Sequence, residues 1–299
     1  MARSQVSFPF VKKNADLIMY ADDSTLFCAS PTSAELREKI QVELNNITKW
    51  VRMNKLVLNI AKTKSIVFGS RYALANADAL NLLVDGISVE EVTKAKLLGV
   101  KLDNLLSWSD QIDHVVLKMG RGIAISRKCS AYVPSSVMSD VVRSLVLSHL
   151  EYCTVVWSSA AEKDIKKLQI AQNRAARLVL NCSFRTNVGV MHKQLSWLTV
   201  EVKFKYCLLM FMHNVIWKNT PNFFHEQILY SGFCHDHYTR QVSSGHLVVP
   251  SHNQNSMLRT VFHRAFSGWN NIPIDLRKTR SRYSFKKLLK HKLMGILKM

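Results

Sequence analysis

At 299 residues with 47% hydrophobic content, the chain is long enough for one large or two ordinary domains with a proper core, which excludes a disordered tail. Its 41 Lys+Arg against 21 Asp+Glu give a formal net charge of +20, a field that attracts polyanions, nucleic acid first and an anionic membrane surface second. Its six cysteines, Cys28, Cys129, Cys153, Cys182, Cys207 and Cys234, lie far apart without paired spacing; this argues against a disulfide framework or zinc ribbon and for a reducing compartment. Neither the start nor the most apolar later run, Tyr206 to Met212, has the length of a signal peptide or membrane span. The expectation is an intracellular protein, nuclear or cytoplasmic, and not secreted.

The first predicted element is a hairpin. Leu17-Ile18-Met19 and Leu26-Phe27-Cys28 are short apolar runs joined by Tyr20-Ala21-Asp22-Asp23, which reads as a buried β-hairpin with its carboxylates at the exposed tip. Adjacent carboxylates repel, and a divalent cation held by oxygen ligands compensates them. Thr32 and Glu35 have capping-box spacing, and Leu36, Ile40, Leu44, Ile47 and Val51 recur at helical intervals, predicting a helix to near Met53. Short strands are expected at Leu56-Val57-Leu58 and Ser65-Ile66-Val67-Phe68. Hairpin, helix and strand in this order form the second half of a split β-α-β layout. Asp85-Gly86 marks a further hairpin between Leu82-Leu83-Val84 and Ile87-Ser88-Val89. Leu97 to Leu102 reads as one strand.

Beyond residue 106 helical periodicity takes over. Ile112, Val115, Val116, Met119 and Ile123 make one stripe; Val137, Val141 and Leu145 begin a second; Ile165, Leu168, Ala175 and Leu178 make a third. Lys163, Lys167, Arg174 and Arg177 fall opposite the third stripe and suit either a solvated face or a phosphate-tracking face along a nucleic-acid duplex. Residues 219–260 look loop-like. Cys234, His235 and His237, with His225 or His246, are close enough to suggest zinc but match no established finger pattern. His149, near Glu151 and Cys153, reads as core packing. Ser284 is expected to cap a last, basic helix with Phe285, Leu288, Leu289, Leu293, Ile296 and Leu297 on one face, docked on the helical domain rather than on a membrane. The resulting fold class is α+β, with segments 1–106, 107–218 and 219–299.

The Tyr20–Asp23 turn resembles the active-site turn of reverse transcriptases, and later segments are similar to those of non-LTR, LINE-type retrotransposons. Asn59-Ile60-Ala61-Lys62-Thr63-Lys64 resembles the lysine segment after the catalytic turn, and Lys94-Ala95-Lys96-Leu97-Leu98-Gly99-Val100 with Trp108 resembles the primer grip and thumb start. Ser148 to Cys153 with Trp157, Gln172 to Arg177, and Trp269-Asn270-Asn271-Ile272-Pro273 before Phe285-Lys286-Lys287 are similar to the region after the polymerase core. The resemblance implies a partial polymerase palm followed by a mainly helical thumb and C-terminal region. It implies RNA-directed DNA synthesis on an RNA template and DNA primer, with Asp22 and Asp23 as Mg²⁺ ligands. Tyr20 is then placed near the primer end or incoming nucleotide, and Lys62, or Lys64 in its stead, protonates the departing pyrophosphate.

The family's fingers and first catalytic aspartate belong before this turn, yet only 19 residues precede Tyr20. Asp16 cannot substitute, because it lies about 20 Å along the same strand. The chain alone is therefore expected to be an inactive fragment. The alternative is a non-catalytic basic nucleic-acid-binding protein derived from such an element.

Overall fold

The computed structural model describes residues 15–230, 246–250 and 259–296. The chain divides into two units, Met1–Ser107 and Trp108–Met299. Its class is α+β; among the described residues the strands are confined to the first unit apart from one isolated bridge, Tyr230 to Leu247.

The first unit opens with β1 (Asp16–Tyr20) and β2 (Asp23–Phe27), an antiparallel hairpin pairing Tyr20 with Asp23 and Asp16 with Phe27. The hairpin is present but not buried: Ile18 is 57% and Tyr20 66% exposed. Among the described residues no third strand joins it, so both its edges lack a strand partner, and no residue of either strand is fully buried. Next comes α1 (Ser33–Met53), whose N-cap Thr32 accepts from the Glu35 amide at 3.3 Å. Only half of the capping box forms, because the Glu35 carboxylate is taken by the Ser30 hydroxyl at 2.8 Å. Leu36, Ile40 and Leu44 bury against Leu80, Leu82, Val84 and Val89, the small core of this unit.

Leu56-Val57-Leu58 is irregular rather than a strand, followed by a single 3₁₀ turn at Ile60–Lys62. The next predicted strand shrinks to β3 (Lys64–Ser65). After α2 (Arg71–Ala75), β4 (Leu83–Val84) and β5 (Ile87–Ser88) form the Asp85-Gly86 hairpin, with φ of 54° and 77° at its turn. β6 (Glu90–Glu91) pairs in parallel with β3, so the strand after α1 does not join the Tyr20–Asp23 hairpin. The run read as one strand over Leu97–Leu102 is instead the turn of a hairpin between β7 (Lys94–Leu97) and β8 (Val100–Asp103). Leu98 and Gly99 take φ of 44° and 86° there. Leucine is rare in the left-handed region, which is why composition hid this turn.

The second unit is helical. α3 (Ser109–Cys129) buries Ile112, Val115, Met119 and Ile123 as the first stripe predicts. Its second helix, α4 (Ser135–Val142), continues through a π-turn at Arg143–Leu147 into α5 (Ser148–Glu151). The face buried here is Met138, Val142 and Val146, whereas Val137 and Leu145 are exposed and Val141 is half-buried. Adjacent apolar pairs at 137–138, 141–142 and 145–146 make two faces equally apolar, so periodicity could not choose between them. After α6 (Thr154–Trp157), α7 (Glu162–Leu180) packs on α3 and buries Leu168, Ala171 and Ala175, while Ile165 and Leu178 are only half-buried.

α8 (Val188–Leu195) leads to α9 (Val200–Lys218), a central helix buried along Phe204, Leu208, Met212 and Val215. α10 (Asn222–His225), α11 (Val261–Asn270), α12 (Ile274–Arg277) and α13 (Arg282–Ile296) complete the unit. One core joins Leu208, Leu209 and Met212 of α9 to Phe266 and Trp269 of α11 and to Phe285, Leu289 and Leu293 of α13. The last helix starts earlier than predicted: Ser281, not Ser284, supplies the capping oxygen, accepting from the Ser284 amide at 3.4 Å. Leu288 lies outside the buried stripe, 51% exposed.

Candidate active site

The two-residue turn Ala21-Asp22 between β1 and β2 exists because β-favouring residues run up to it from both sides and pair in register. Ala21 has φ of 53°, in the left-handed region that costs a non-glycine residue about 1–2 kcal/mol. Such backbone outliers concentrate at functional sites. Asp22 and Asp23 are both exposed at the tip. Tyr20 stands directly across from Asp23, so the two share one face of the hairpin with Ile18 and Thr25.

Two solvent-open carboxylates in adjacent positions form a hard oxygen donor set of the kind that suits Mg²⁺. Among the described residues no cluster of three or more His, Cys, Asp or Glu side chains forms a metal-holding group. Lys62 closes the 3₁₀ turn, its amide donating to Asn59 Oδ1 at 3.2 Å, and its side chain is exposed. Lys64, the other lysine of that segment, is ion-paired with Glu90.

On α7 the four cationic candidates have different surroundings. Lys163 and Arg174 are exposed. Lys167 binds two carboxylates, Asp113 at 2.7 Å and Asp164 at 2.9 Å, and these hydrogen bonds hold its ammonium well above the usual lysine range. Arg177 is half-buried and donates to the Phe184 carbonyl at 3.1 Å. Burial acts most strongly on Asp164 and pushes its carboxyl up, but the hydrogen bonds from Lys167 and Ser109 together outweigh it and leave the group below the carboxylate range. This Ser109–Asp164–Lys167–Asp113 network ties α3 to α7. Sequence reading missed it because Asp113 and Lys167 are 54 residues apart.

His149 is half-buried, and burial followed by the Lys118 charge lowers its pKa. Cys234, His235 and His237 lie outside the described residues; His225 ends α10 and His246 is half-buried.

Two transposon polymerases of Drosophila melanogaster are similar to this chain. The probable RNA-directed DNA polymerase from transposon X-element is 22% identical over 189 residues, covering 62% of this chain and 20% of that protein. The probable RNA-directed DNA polymerase from transposon BS is 24% identical over 202 residues, covering 63% and 21%. The similarity is to LINE-type reverse transcriptases. The chain spans about a fifth of the length of these curated relatives. No family model matches it, nor does any solved structure. No helix among the described residues is long and apolar enough to cross a membrane.

Proposed function

We propose that this chain is a region of a LINE-type RNA-directed DNA polymerase, with Asp22 and Asp23 as two of the carboxylates that hold Mg²⁺. The observation that carries the reading is the Tyr20–Asp23 turn itself, a strained two-residue turn presenting two open carboxylates, in a chain similar to two such polymerases. Mg²⁺ held by Asp22 and Asp23 would supply activation of the primer 3′-hydroxyl and charge stabilisation of the departing pyrophosphate. Tyr20, on the Asp23 face, lines the primer end or incoming nucleotide, and Lys62 gives a proton to the pyrophosphate. Lys163, Lys167, Arg174 and Arg177 follow the phosphates of an RNA template paired with a DNA primer, Lys163 and Arg174 being the most open of the four.

The isolated chain is inactive in this reading, because two neighbouring carboxylates of one turn cannot by themselves hold two ions in line with a substrate. The remaining ligand comes from outside the described residues. Primer extension by the purified chain with oligo(dT) on poly(rA) is expected to give no incorporation; incorporation that disappears in Asp22→Ala overturns the inactivity. Mn²⁺ binding followed by electron paramagnetic resonance is expected to vanish in Asp22→Asn/Asp23→Asn, with stability unchanged within about 0.5 kcal/mol because both positions are exposed. Retained Mn²⁺ in the double variant removes the turn as the metal site.

The net charge of +20 favours a second reading, a non-catalytic nucleic-acid-binding protein. It predicts RNA–DNA hybrid binding with the same affinity in Asp22→Asn/Asp23→Asn.

A further inference from the structure

The cations of α13 differ from those of α7 in having no acidic company. Its sequence from Arg282 to Ile296 holds Arg282, Lys286, Lys287, Lys290 and Lys292 and no Asp or Glu. Among the described residues none of these five makes an ion pair, whereas Lys166 and Lys167 of α7 pair with Glu162, Asp164 and Asp113. The helical repeat of 3.6 residues sets Lys286, Lys287, Lys290 and Tyr283 on one side, away from the buried Phe285, Leu289 and Leu293. Tyr283 is 76% exposed, on the same side of the helix as these three lysines.

Further cations approach this ridge from neighbouring elements. α13 is seated on α9 through Phe285 and Leu289 against Leu208 and Met212. Lys203 of α9 and Arg143 of the π-turn lie near enough to act on Lys290: burial first, then the charges of Arg143, Lys203 and Lys286, hold its ammonium below the usual lysine range. Lys203 is balanced by Glu151 at 2.6 Å, and Arg143 only loosely by Asp140 at 4.0 Å. The cations of α13 are left without such partners among the described residues, and a polyanion would supply them.

We propose that the outward face of α13, with Arg143 beside it, is a binding surface for single-stranded nucleic acid, in which Lys286, Lys287 and Lys290 take successive phosphates and Tyr283 stacks on a base. Cations that follow a backbone and an aromatic platform that accepts any base are the two components of sequence-tolerant single-strand binding. A membrane suits the ridge less well, because an interfacial helix must insert its apolar face and that of α13 is already buried in the core. The surface lies in the second unit and does not depend on the carboxylate turn being competent.

The test is fluorescence anisotropy of the full chain with labelled oligo(U)₂₀ at 50–300 mM NaCl. Lys286→Gln/Lys287→Gln/Lys290→Gln is expected to flatten the plot of log affinity against log salt by about 2, at ~0.7 per phosphate contact, and to weaken binding on the order of 100-fold at 0.1 M. The corresponding arginine triple variant is expected to retain binding, which separates loss of charge from loss of fold. Tyr283→Leu is expected to cost about fivefold or more, with Tyr283→Phe close to the wild type. A control, Lys166→Gln on α7, whose ammonium is paired with Glu162, is expected to leave oligo(U) binding within about twofold, the order of an exposed-site change.

An unchanged salt slope in the glutamine triple overturns the proposal. Equal affinity of Tyr283→Leu for oligo(U), or equal loss from a 20-base-pair duplex, overturns its single-strand part. Binding of phosphatidylserine-containing vesicles that depends on the three lysines, without oligo(U) binding, assigns the ridge to membranes instead. Failure of primer extension bears on none of these outcomes.

Discussion

Gly122 offers a sharp check on how the second unit is assembled. It lies within α3, where replacing glycine by alanine ordinarily gains about 1 kcal/mol of helix propensity. Here a Cβ would meet the backbone of the π-turn, lying within 2.9 Å of the Leu145 carbonyl carbon and closer still to its oxygen, and 3.1 Å from Val146 Cγ2. A backbone carbonyl cannot swing aside as a side-chain end can, so α3 and the π-turn must separate. Forcing a methyl into such a contact costs about 1–3 kcal/mol. Less the propensity gain, Gly122→Ala is expected to destabilise the unit by ~1 kcal/mol.

Gly120, two residues away in the same helix, is exposed, and nothing lies within 4 Å of its Cβ position. Gly120→Ala is therefore expected to stabilise by about 0.5–1 kcal/mol. Urea unfolding followed by circular dichroism reads both. With a slope of about 2 kcal/mol/M, the two midpoints should move in opposite directions by roughly 0.3–0.5 M. Equal stabilisation by both substitutions refutes the close approach of α3 to the π-turn.

Asp164→Asn is expected to cost about 2 kcal/mol, since it weakens the charge-assisted bonds from Ser109 and Lys167 in the first turn of α7. Because the folded carboxyl sits below its ordinary value, its contribution is present above the unfolded carboxylate pKa and lost as pH falls through the folded one. Wild type and variant should thus converge in urea midpoint on acidification below about pH 4, and a constant gap contradicts the assignment. His213 is buried, stacks on Phe285 at 4.4 Å and meets the Thr279 carbonyl through Nε2 at 3.0 Å. Burial chiefly lowers its pKa, Arg282 and Lys218 adding to the effect while the Thr279 carbonyl opposes it, so the folded state prefers neutral imidazole. Stability should therefore be full above about pH 6.5 and decline as pH falls toward the depressed value, a slope that thermal melts of His213→Gln should show reduced, the lowered His149 and His192 keeping the remainder.

Much of this molecule was readable from local sequence because local rules govern it. The β1–β2 and β4–β5 hairpins, α1 with its Thr32 cap, and the Ile112–Ile123 stripe each follow from residues within one or two turns of one another. The similarity to LINE-type polymerases was legible in the same way, through contiguous segments led by Tyr20-Ala21-Asp22-Asp23.

What tertiary structure alone decided involves partners distant in the chain. Exposure of the hairpin depends on whether another element packs on its face, which alternation within two strands cannot report. The choice of Met138, Val142 and Val146 over Val137, Val141 and Leu145 depends on which face meets α3. Whether a lysine is free for phosphate is likewise set in three dimensions. Lys167 and Lys290 are both exposed helix cations in sequence pattern, but Asp113 reaches the first across 54 residues, while Arg143 and Lys203 surround the second with like charge. Charge pairing is fixed by distances of a few ångströms, and those distances are set by how helices pack rather than by their order along the chain.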